Sequence, residues 1–219
     1  MPRAALRTCF TASGLVAVAV ATAALTVACS VVTKVDFNEC TVSDECRGAF
    51  GLGWVCGDAG LCEEVTPQPR CKRVFPEDLF TNEAYRDAVV FGSLFDHNTE
   101  DGDLKLVNAA SLAIDEANAS GLTDGRLFGI VHCDYQENKK LDELSSEEAA
   151  VANAKFLVDE MGAIAIIGPG TSGLAEAVFK ELQRPEHDPT AVIISPSATS
   201  PSLTDIDVRD GDKPGLFWR

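Results

Sequence analysis

From residue 86 onward, short apolar runs alternate with longer segments in which apolar residues recur at helical spacing. An apolar run of about five to eight residues predicts a buried strand, whereas apolar positions three and four residues apart predict a helix that packs on a sheet. We predict strands at 88–95, 127–133, 163–167 and 191–195. We predict helices at 104–120, 145–161 and 174–183. Gly121 ends the first helix, and Ser145 caps the second.

Strands that alternate with helices pair in parallel, because each crossover helix returns the chain to the same edge of the sheet. The sequence therefore predicts an α/β fold with a doubly wound parallel sheet, and we expect the strand order 2-1-3-4. In such sheets ligands bind beyond the carboxyl ends of the strands, where the strand order reverses. We expect a site between the ends of strands 1, 3 and 4.

The N-terminus has the order of an export signal. Basic residues come first, an uncharged apolar run extends from Cys9 to Ala28, and Cys29 follows. The small residue and the thiol at the cut resemble a lipobox, so we predict a lipoprotein signal peptide at 1–28 and lipidation of Cys29. Such a protein is a membrane-anchored lipoprotein of the cell envelope, facing the periplasm or the outside. The alternative is a transmembrane helix, since about 20 apolar residues span a bilayer.

Cysteines crowd into a short segment after this signal. We predict a tether at 29–39 and a small disulfide-rich module at 40–72, because so short a segment cannot bury enough apolar surface to fold otherwise. The spacing does not match that of zinc knuckles. We expect two bridges among Cys40, Cys46, Cys56 and Cys62, with three pairings open. Cys71 and Cys133 are either bridged to each other or free.

The charge of the chain excludes two classes of partner. Its formal net charge is −16, and Lys and Arg are dispersed. A basic footprint for nucleic acid is absent, and so is a polybasic patch for a membrane surface. We therefore expect contact with the membrane through the lipid alone.

Two loops after strands 3 and 4 consist of small residues. GPGTSG at 168–173 lets the backbone approach a ligand and leads into the third helix, whose unpaired N–H groups and positive dipole favour an anion. SPSATSPSLT at 195–204 is stiffened by two prolines. The alternatives are an ordinary capped turn and a plain surface loop. The candidate ligand-binding residues are Thr171, Ser172, Gly173, Ser197, Ala198 and Thr199.

Motifs of common catalytic sites do not occur in these loops. A P-loop needs Lys and then Ser or Thr after its glycines, but Leu174 and Ala175 follow GPGTSG. Leu174 also stands where a nucleophile elbow needs glycine. Neighbours on a strand point to opposite faces, so His132, Cys133 and Asp134 do not converge on a metal. We expect no enzymatic activity, no cofactor and no metal.

Three segments in order resemble the first lobe of the branched-chain amino acid binding proteins, which are type 1 periplasmic solute-binding proteins. They are AIDEANASGLTDGRLFGIVHCDYQEN, AIAIIGPGTSGLAEAV and AVIISPSATSPSLTD. The resemblance covers about residues 86–219, and we place the lobe at 73–219. It implies that the α-carboxylate and α-ammonium of an amino acid are held by Ser172, Ser197, Ala198 and Thr199. It departs at 95–103, where FDHNTEDGD replaces a loop with glycine and aromatic residues.

The resemblance implies capture of an amino acid or a similar small molecule for uptake by an ABC permease. Because the same fold forms extracellular sensor domains, a ligand-sensing receptor that works with a sensor protein is an alternative. The family continues after a segment like FWR at 217–219 into a second lobe, which is absent here. One lobe supplies half a pocket, so a truncated chain without binding activity is a further alternative.

Overall fold

The structure is a computed structural model that describes residues 39–97, 102–121, 123–184, 191–207 and 215–219. The signal peptide at 1–28, the lipidation of Cys29 and all but the last residue of the tether at 29–39 lie outside these ranges and stay predictions. Within the described ranges, no helix is both long enough and apolar enough to cross a membrane. The described residues all belong to one compact unit.

A small disulfide module comes first, and it contains helix α1 (Ser43–Phe50) and the antiparallel strands β1 (Trp54–Cys56) and β2 (Cys62–Glu64). Its disulfides are Cys40–Cys56 and Cys46–Cys62. The prediction of two bridges among these four residues is confirmed, and the structure selects one of the three pairings. Cys56 lies opposite Cys62 in the hairpin, and each bonds back to the segment around α1. Both bridges therefore fasten the helix to the hairpin.

A larger sheet follows, with six strands among the described residues. They are β3 (Arg73–Phe75), β4 (Val89–Leu94), β5 (Phe128–Cys133), β6 (Ala165–Ile167), β7 (Val192–Ile194) and β8 (Phe217–Trp218). Their order is β3-β5-β4-β6-β7-β8. Strands β4 to β7 are the four predicted strands, they pair in parallel, and their order is the predicted 2-1-3-4. The doubly wound α/β fold class is confirmed.

The two outer strands of the sheet were not predicted. β3 pairs antiparallel with β5, with Arg73 opposite His132, so one edge of the sheet departs from the parallel pattern. β8 pairs parallel with β7 over only two residues. Neither β3 nor β8 lies in an apolar run of five or more residues, which is the signal that predicted β6 and β7. β3 and β8 form here because the neighbouring strand presents a row of backbone groups that need partners.

Three longer helices match the predicted ones. They are α2 (Leu104–Ser120), α3 (Ser146–Lys155) and α4 (Ser172–Leu182). Gly121 ends α2 in the left-handed conformation, with φ 65°. Ser145 caps α3, where its hydroxyl accepts from the Glu148 amide at 3.3 Å while the Glu148 carboxylate accepts from the Ser145 amide at 2.9 Å. A π-helical turn, Phe156–Glu160, continues α3. α4 starts two residues before the prediction because Thr171, in extended conformation, is its N-cap.

Both faces of the sheet are covered at β4. Gly92 and Ser93 are consecutive, so they face opposite sides. A Cβ on Gly92 would lie 2.7 Å from a methyl carbon of Leu157, which places the turn after α3 directly against one face. Ser93 faces the other side, where it meets a hydrogen-bonded chain that reaches Ser111 of α2. The core therefore lies in two layers, one on each side of the sheet.

The buried chain on the α2 side is Ser93, His132 and Ser111. The Ser93 hydroxyl lies 2.6 Å from His132 Nδ1, and the Ser111 hydroxyl lies 2.9 Å from Nε2. Because Ser111 gives its own hydrogen to the Val107 carbonyl at 3.1 Å, it accepts from Nε2, and Ser93 donates to Nδ1. This pattern fixes a neutral imidazole. Burial lowers the pKa of His132 to about 4, and the charges of His97 and Arg73 lower it as well.

A third disulfide and a buried arginine join the module to the sheet. Cys71 bonds to Cys133 at the end of β5, so of the two outcomes left open for these residues the bridge is observed. The neighbouring Arg70 is 6% exposed, and its Nε and Nη2 donate to the Asp142 carboxylate at 2.9 and 2.6 Å. Its Nη1 donates to two backbone carbonyls of the segment after β5, at 3.3 and 2.7 Å. The module and the lobe thus share buried contacts, while the boundary at residue 72 stays a prediction.

The crosslink Cys71–Cys133 closes the longest of the three disulfide loops, with a sequence separation of 62 against 16 for each of the others. We expect the double substitution Cys71→Ala and Cys133→Ala to lower the free energy of unfolding by about 4 kcal/mol, because the unfolded chain regains the entropy of that loop. Cys40→Ala with Cys56→Ala should cost about 3 kcal/mol. Urea denaturation under oxidising conditions measures both. A loss below about 1 kcal/mol for the first pair would contradict the expectation.

The neutral His132 predicts a pH-dependent stability. Its pKa is about 4 in the folded chain against 6.5 in the unfolded chain, so the unfolded state binds more protons between these values. The free energy of unfolding should therefore fall by about 3 kcal/mol through this group as the pH drops from 6.5 to 4. His132→Gln should lack this part of the pH dependence in urea denaturation. NMR titration of His132 gives the pKa directly, and a value near 6.5 would show the prediction wrong.

Candidate functional site

The carboxyl ends of β4, β6 and β7 meet at the place where the strand order reverses. The loop at 168–173 begins there with Gly168, whose amide donates to the Ile194 carbonyl at 2.8 Å. Gly168 has φ 99°, and a Cβ on it would lie 2.2 Å from the Leu94 carbonyl oxygen. Only glycine fits this position. The 168–173 loop therefore runs directly across the end of β4, as expected for the site.

Serine hydroxyls join the 168–173 loop to the loop at 195–200. Ser195, which is buried, and Ser197, which is exposed, donate to two carbonyls of the 168–173 loop, at 2.6 and 2.7 Å. Ser197 was predicted as a ligand-binding residue, whereas Ser195 was not. A small hydroxyl residue at the last position of a buried strand is the signal that could have found it. The two loops thus form one continuous surface.

Ser172 makes the reciprocal connection. Its hydroxyl oxygen accepts from the backbone amides of Thr199 and Ser200, at 3.1 Å each. Ser172 was predicted as a ligand-binding residue, and in the structure its oxygen holds the 195–200 loop in place. The Ser172 oxygen is therefore engaged by two backbone amides, and Ser172 acts on the site by fixing the position of Thr199.

The start of α4 is open. Thr171 is the N-cap, yet its side chain makes no capping hydrogen bond. The first intrahelical bond runs from the Ala175 amide to the Thr171 carbonyl at 3.0 Å. In the described part of the chain, the amides of Ser172, Gly173 and Leu174 have no acceptor. With the positive end of the helix dipole, these N–H groups favour an anion at this place.

The other predicted residues differ in how much surface they offer. Thr171, Gly173 and Thr199 are exposed. Among the described contacts, neither threonine hydroxyl forms a hydrogen bond. Ala198 is 5% exposed and packs on Ala175, so it anchors the loop and offers a ligand little surface.

The loops at 168–173 and 195–200 contain no charged residue, but the fold brings one to their border. The guanidinium of Arg219 donates to the Ser200 carbonyl and to the Thr204 hydroxyl, both at 2.9 Å. This contact joins β8 to the 195–200 loop, and sequence reasoning missed it. It adds positive charge beside an uncharged polar surface.

The loop after β4 is described only to His97, and residues 98–101 of the segment at 95–103 lie outside the described ranges. His97 is half-buried, and its Nδ1 lies 3.2 Å from the Phe95 carbonyl oxygen. Burial lowers the pKa of His97, and the carboxylate of Asp134 opposes this effect. The pKa of His97, in the loop after β4, is therefore below its usual value.

His132, Cys133 and Asp134 are used separately, as their alternation along the strand predicts. His132 belongs to the serine chain, and Cys133 is bonded to Cys71. Asp134 is 1% exposed, and one carboxylate oxygen accepts from the Gln136 amide at 2.6 Å. The other oxygen has no hydrogen-bond partner among the described residues.

No protein-family model and no curated protein matches the chain. Among solved structures, it is similar to the branched-chain amino acid transporter substrate-binding protein LivJ from Streptococcus pneumoniae, in complex with isoleucine. The identity is 27% and the TM-score 0.41, over 54% of this chain and 31% of that chain. It is also similar to an ABC transporter substrate-binding protein from Desulfitobacterium hafniense in complex with Leu, at 25% identity and TM-score 0.40, with the same coverage of both chains. The chain thus spans 31% of the length of these proteins, which are of the kind that its sequence resembles.

The close approach at Gly168 gives a matched pair of substitutions. Gly168→Ala should lower the free energy of unfolding by about 2 kcal/mol or more, because its φ of 99° and the Leu94 carbonyl both exclude a Cβ. Gly173→Ala is the control, since nothing lies within 4 Å of its Cβ position. It should change stability by less than about 1 kcal/mol. Urea denaturation compares them, and equal effects would contradict this account of the loop.

Proposed function

We propose that the chain forms one wall of a solute-binding cleft that takes the carboxylate of an amino acid or a similar small molecule. The observation that carries the proposal is the open start of α4, where the amides of Ser172, Gly173 and Leu174 and the hydroxyls of Thr171 and Thr199 have no hydrogen-bond partner among the described residues. It lies at the strand ends where α/β sheets bind ligands. The resemblance of both loops to branched-chain amino acid binding proteins supports the same ligand class.

A carboxylate suits this surface better than other small ligands. Backbone amides and hydroxyls satisfy its oxygens without a buried cation, whose desolvation is costly. The chain as a whole has a net charge of −16, which repels anions at a distance, so the affinity has to come from contacts at the helix start. Arg219 lies on the border of the 195–200 loop, where its guanidinium donates to the Ser200 carbonyl and the Thr204 hydroxyl.

Uptake is the wider role that this ligand class supports. We propose that the solute is delivered to an ABC permease and that lipidated Cys29 anchors the protein to the membrane of the cell envelope. The sequence signal at 1–28 and the resemblance of 86–219 support this role. A binding protein that does not react with its ligand needs no catalytic group, and we propose no enzymatic activity.

Within the site, Ser172 and Thr199 have different tasks. Ser172 positions the 195–200 loop, since its oxygen accepts from two amides of that loop. Thr199 is exposed, and its hydroxyl is free to contact the ligand. Ser172→Ala would therefore disturb the loop itself, whereas Thr199→Val keeps the shape of the side chain and removes one hydroxyl. Thr199→Val is the cleaner test of ligand contact.

The test is an NMR titration of the full chain with leucine, followed through backbone amides. We expect saturable shifts at Ser172, Gly173 and Thr199, with a dissociation constant in the millimolar range because one wall covers only part of the ligand. Isovalerate, which keeps the carboxylate, should shift the same amides, and isoamylamine, which lacks it, should not. Thr199→Val should weaken binding of leucine about tenfold.

Thr81→Val is the matched control for this titration. Thr81 is also exposed, and its hydroxyl donates to the Asp78 carbonyl at 3.3 Å, far along the chain from both loops. Its removal should leave the affinity for leucine unchanged. An absence of shifts in both loops at tens of millimolar leucine, or equal shifts with isoamylamine, would remove the carboxylate site from the proposal.

A further inference from the structure

A cavity of about 360 Å³ lies between the disulfide module and the main sheet. Its walls come from both parts of the chain and are mainly apolar, with Leu52, Trp54, Val74, Val131, Phe156 and Met161 among them. Pockets that take small molecules have about 300 to 1,000 Å³ and walls of this kind. The volume of this cavity lies at the lower end of that range.

The cavity walls are held in place by strong local connections. Cys71, which lines the cavity, is bonded to Cys133 of β5. On the module side, the Val65 amide donates to the Gly53 carbonyl at 2.7 Å, and both residues line the cavity. Phe156 is 5% exposed within the π-helical turn after α3. The cavity is therefore preformed, and a ligand need not order its walls.

The mouth of the cavity is polar, in contrast to its walls. Glu64, Gln68 and Lys72 line it, and Glu64 and Lys72 are exposed. No hydrogen bond or ion pair is formed by these three side chains within the described part of the chain. One carboxylate and one ammonium give the mouth no net charge, so it selects neither anions nor cations. Its groups can hydrogen-bond a hydroxyl or amide of a ligand.

Aromatic rings mark one side of the same opening. Trp54 lines the cavity and lies 4.8 Å, between ring centroids, from Phe50, which is 54% exposed. Phe80, also a lining residue, is 39% exposed. Exposed aromatic side chains around an apolar concave site mark a place where another molecule covers them.

We propose that this cavity is a second ligand site, for a small uncharged molecule with a compact apolar body and one polar group. The apolar body occupies the space between Trp54, Val74 and Val131, and the polar group stays at the mouth beside Glu64, Gln68 and Lys72. The concave shape and the volume favour a small molecule over a protein partner, which would need a wider surface. The site lies on the β3 and β5 side of the sheet and shares no residue with the loops at 168–173 and 195–200. It stands independently of the carboxylate site.

Trp54 provides the measurement. The chain has two tryptophans, so Trp218→Phe leaves Trp54 as the only one. Cyclohexanol is the probe, because it is uncharged, mainly apolar and does not absorb where tryptophan does. We expect a saturable blue shift of Trp54 emission as cyclohexanol displaces water from the ring. Cyclohexylammonium and cyclohexanecarboxylate should bind at least about tenfold more weakly, since a charge must be desolvated at a neutral mouth.

Filling the cavity tests the location. Val74→Phe and Leu52→Phe, from opposite walls and each in the Trp218→Phe background, should weaken cyclohexanol binding at least about tenfold. Leu141→Phe is the control, because Leu141 is 40% exposed and outside the cavity, and it should bind as before. Circular dichroism checks that each variant is folded, and the second filling variant keeps the test valid if the first one fails to fold.

A linear, non-saturable emission change, or saturable binding unaffected by both substitutions, would overturn the proposal. Unchanged leucine shifts in the filled variants would show that the carboxylate site is separate.

Discussion

The central strand β4 is the constraint on which the rest of the structure depends. It hydrogen-bonds in parallel with β5 on one side and β6 on the other, so the strand order reverses at its edge. That reversal opens the crevice across which the 168–173 loop runs. The same strand provides Ser93 to the buried chain with His132, and Gly92 to the close contact with Leu157. Any change that displaced β4 would disturb both covered faces and the loops together.

The disulfide module depends on the sheet more than its cysteine content implies. Two bridges close it internally, but Cys71–Cys133 and the buried Arg70 tie it to the end of β5. Val65 belongs to the same apolar cluster as Val131. A module that packs on a sheet in this way adds apolar surface to a common core and also creates the cavity between them. The disulfide module can therefore both stabilise the common core and form one wall of a ligand site.

Hydroxyl groups at the strand ends serve two purposes that sequence reasoning did not separate. The hydroxyls of Ser172, Ser195 and Ser197 form hydrogen bonds that join the 168–173 loop to the 195–200 loop. Thr171 and Thr199 have the same chemistry, yet their side chains are exposed and form no hydrogen bond among the described contacts. The difference depends on where each Oγ lies relative to a carbonyl or amide of the other loop. Residue type and spacing along one loop carry no information on that distance.

The sequence by itself determined the features that depend on near neighbours. Periodicity predicted the four strands and three helices, the Ser145 cap and Gly121 predicted two helix ends, and the alternation of strands and helices predicted their parallel pairing. Tertiary structure decided the pairing of the cysteines, the short strands β3 and β8, the contact of Arg219 with Ser200, and the cavity beside Trp54. These features join residues far apart in the chain. Their energies depend on distances that exist only after folding, so no local pattern encodes them.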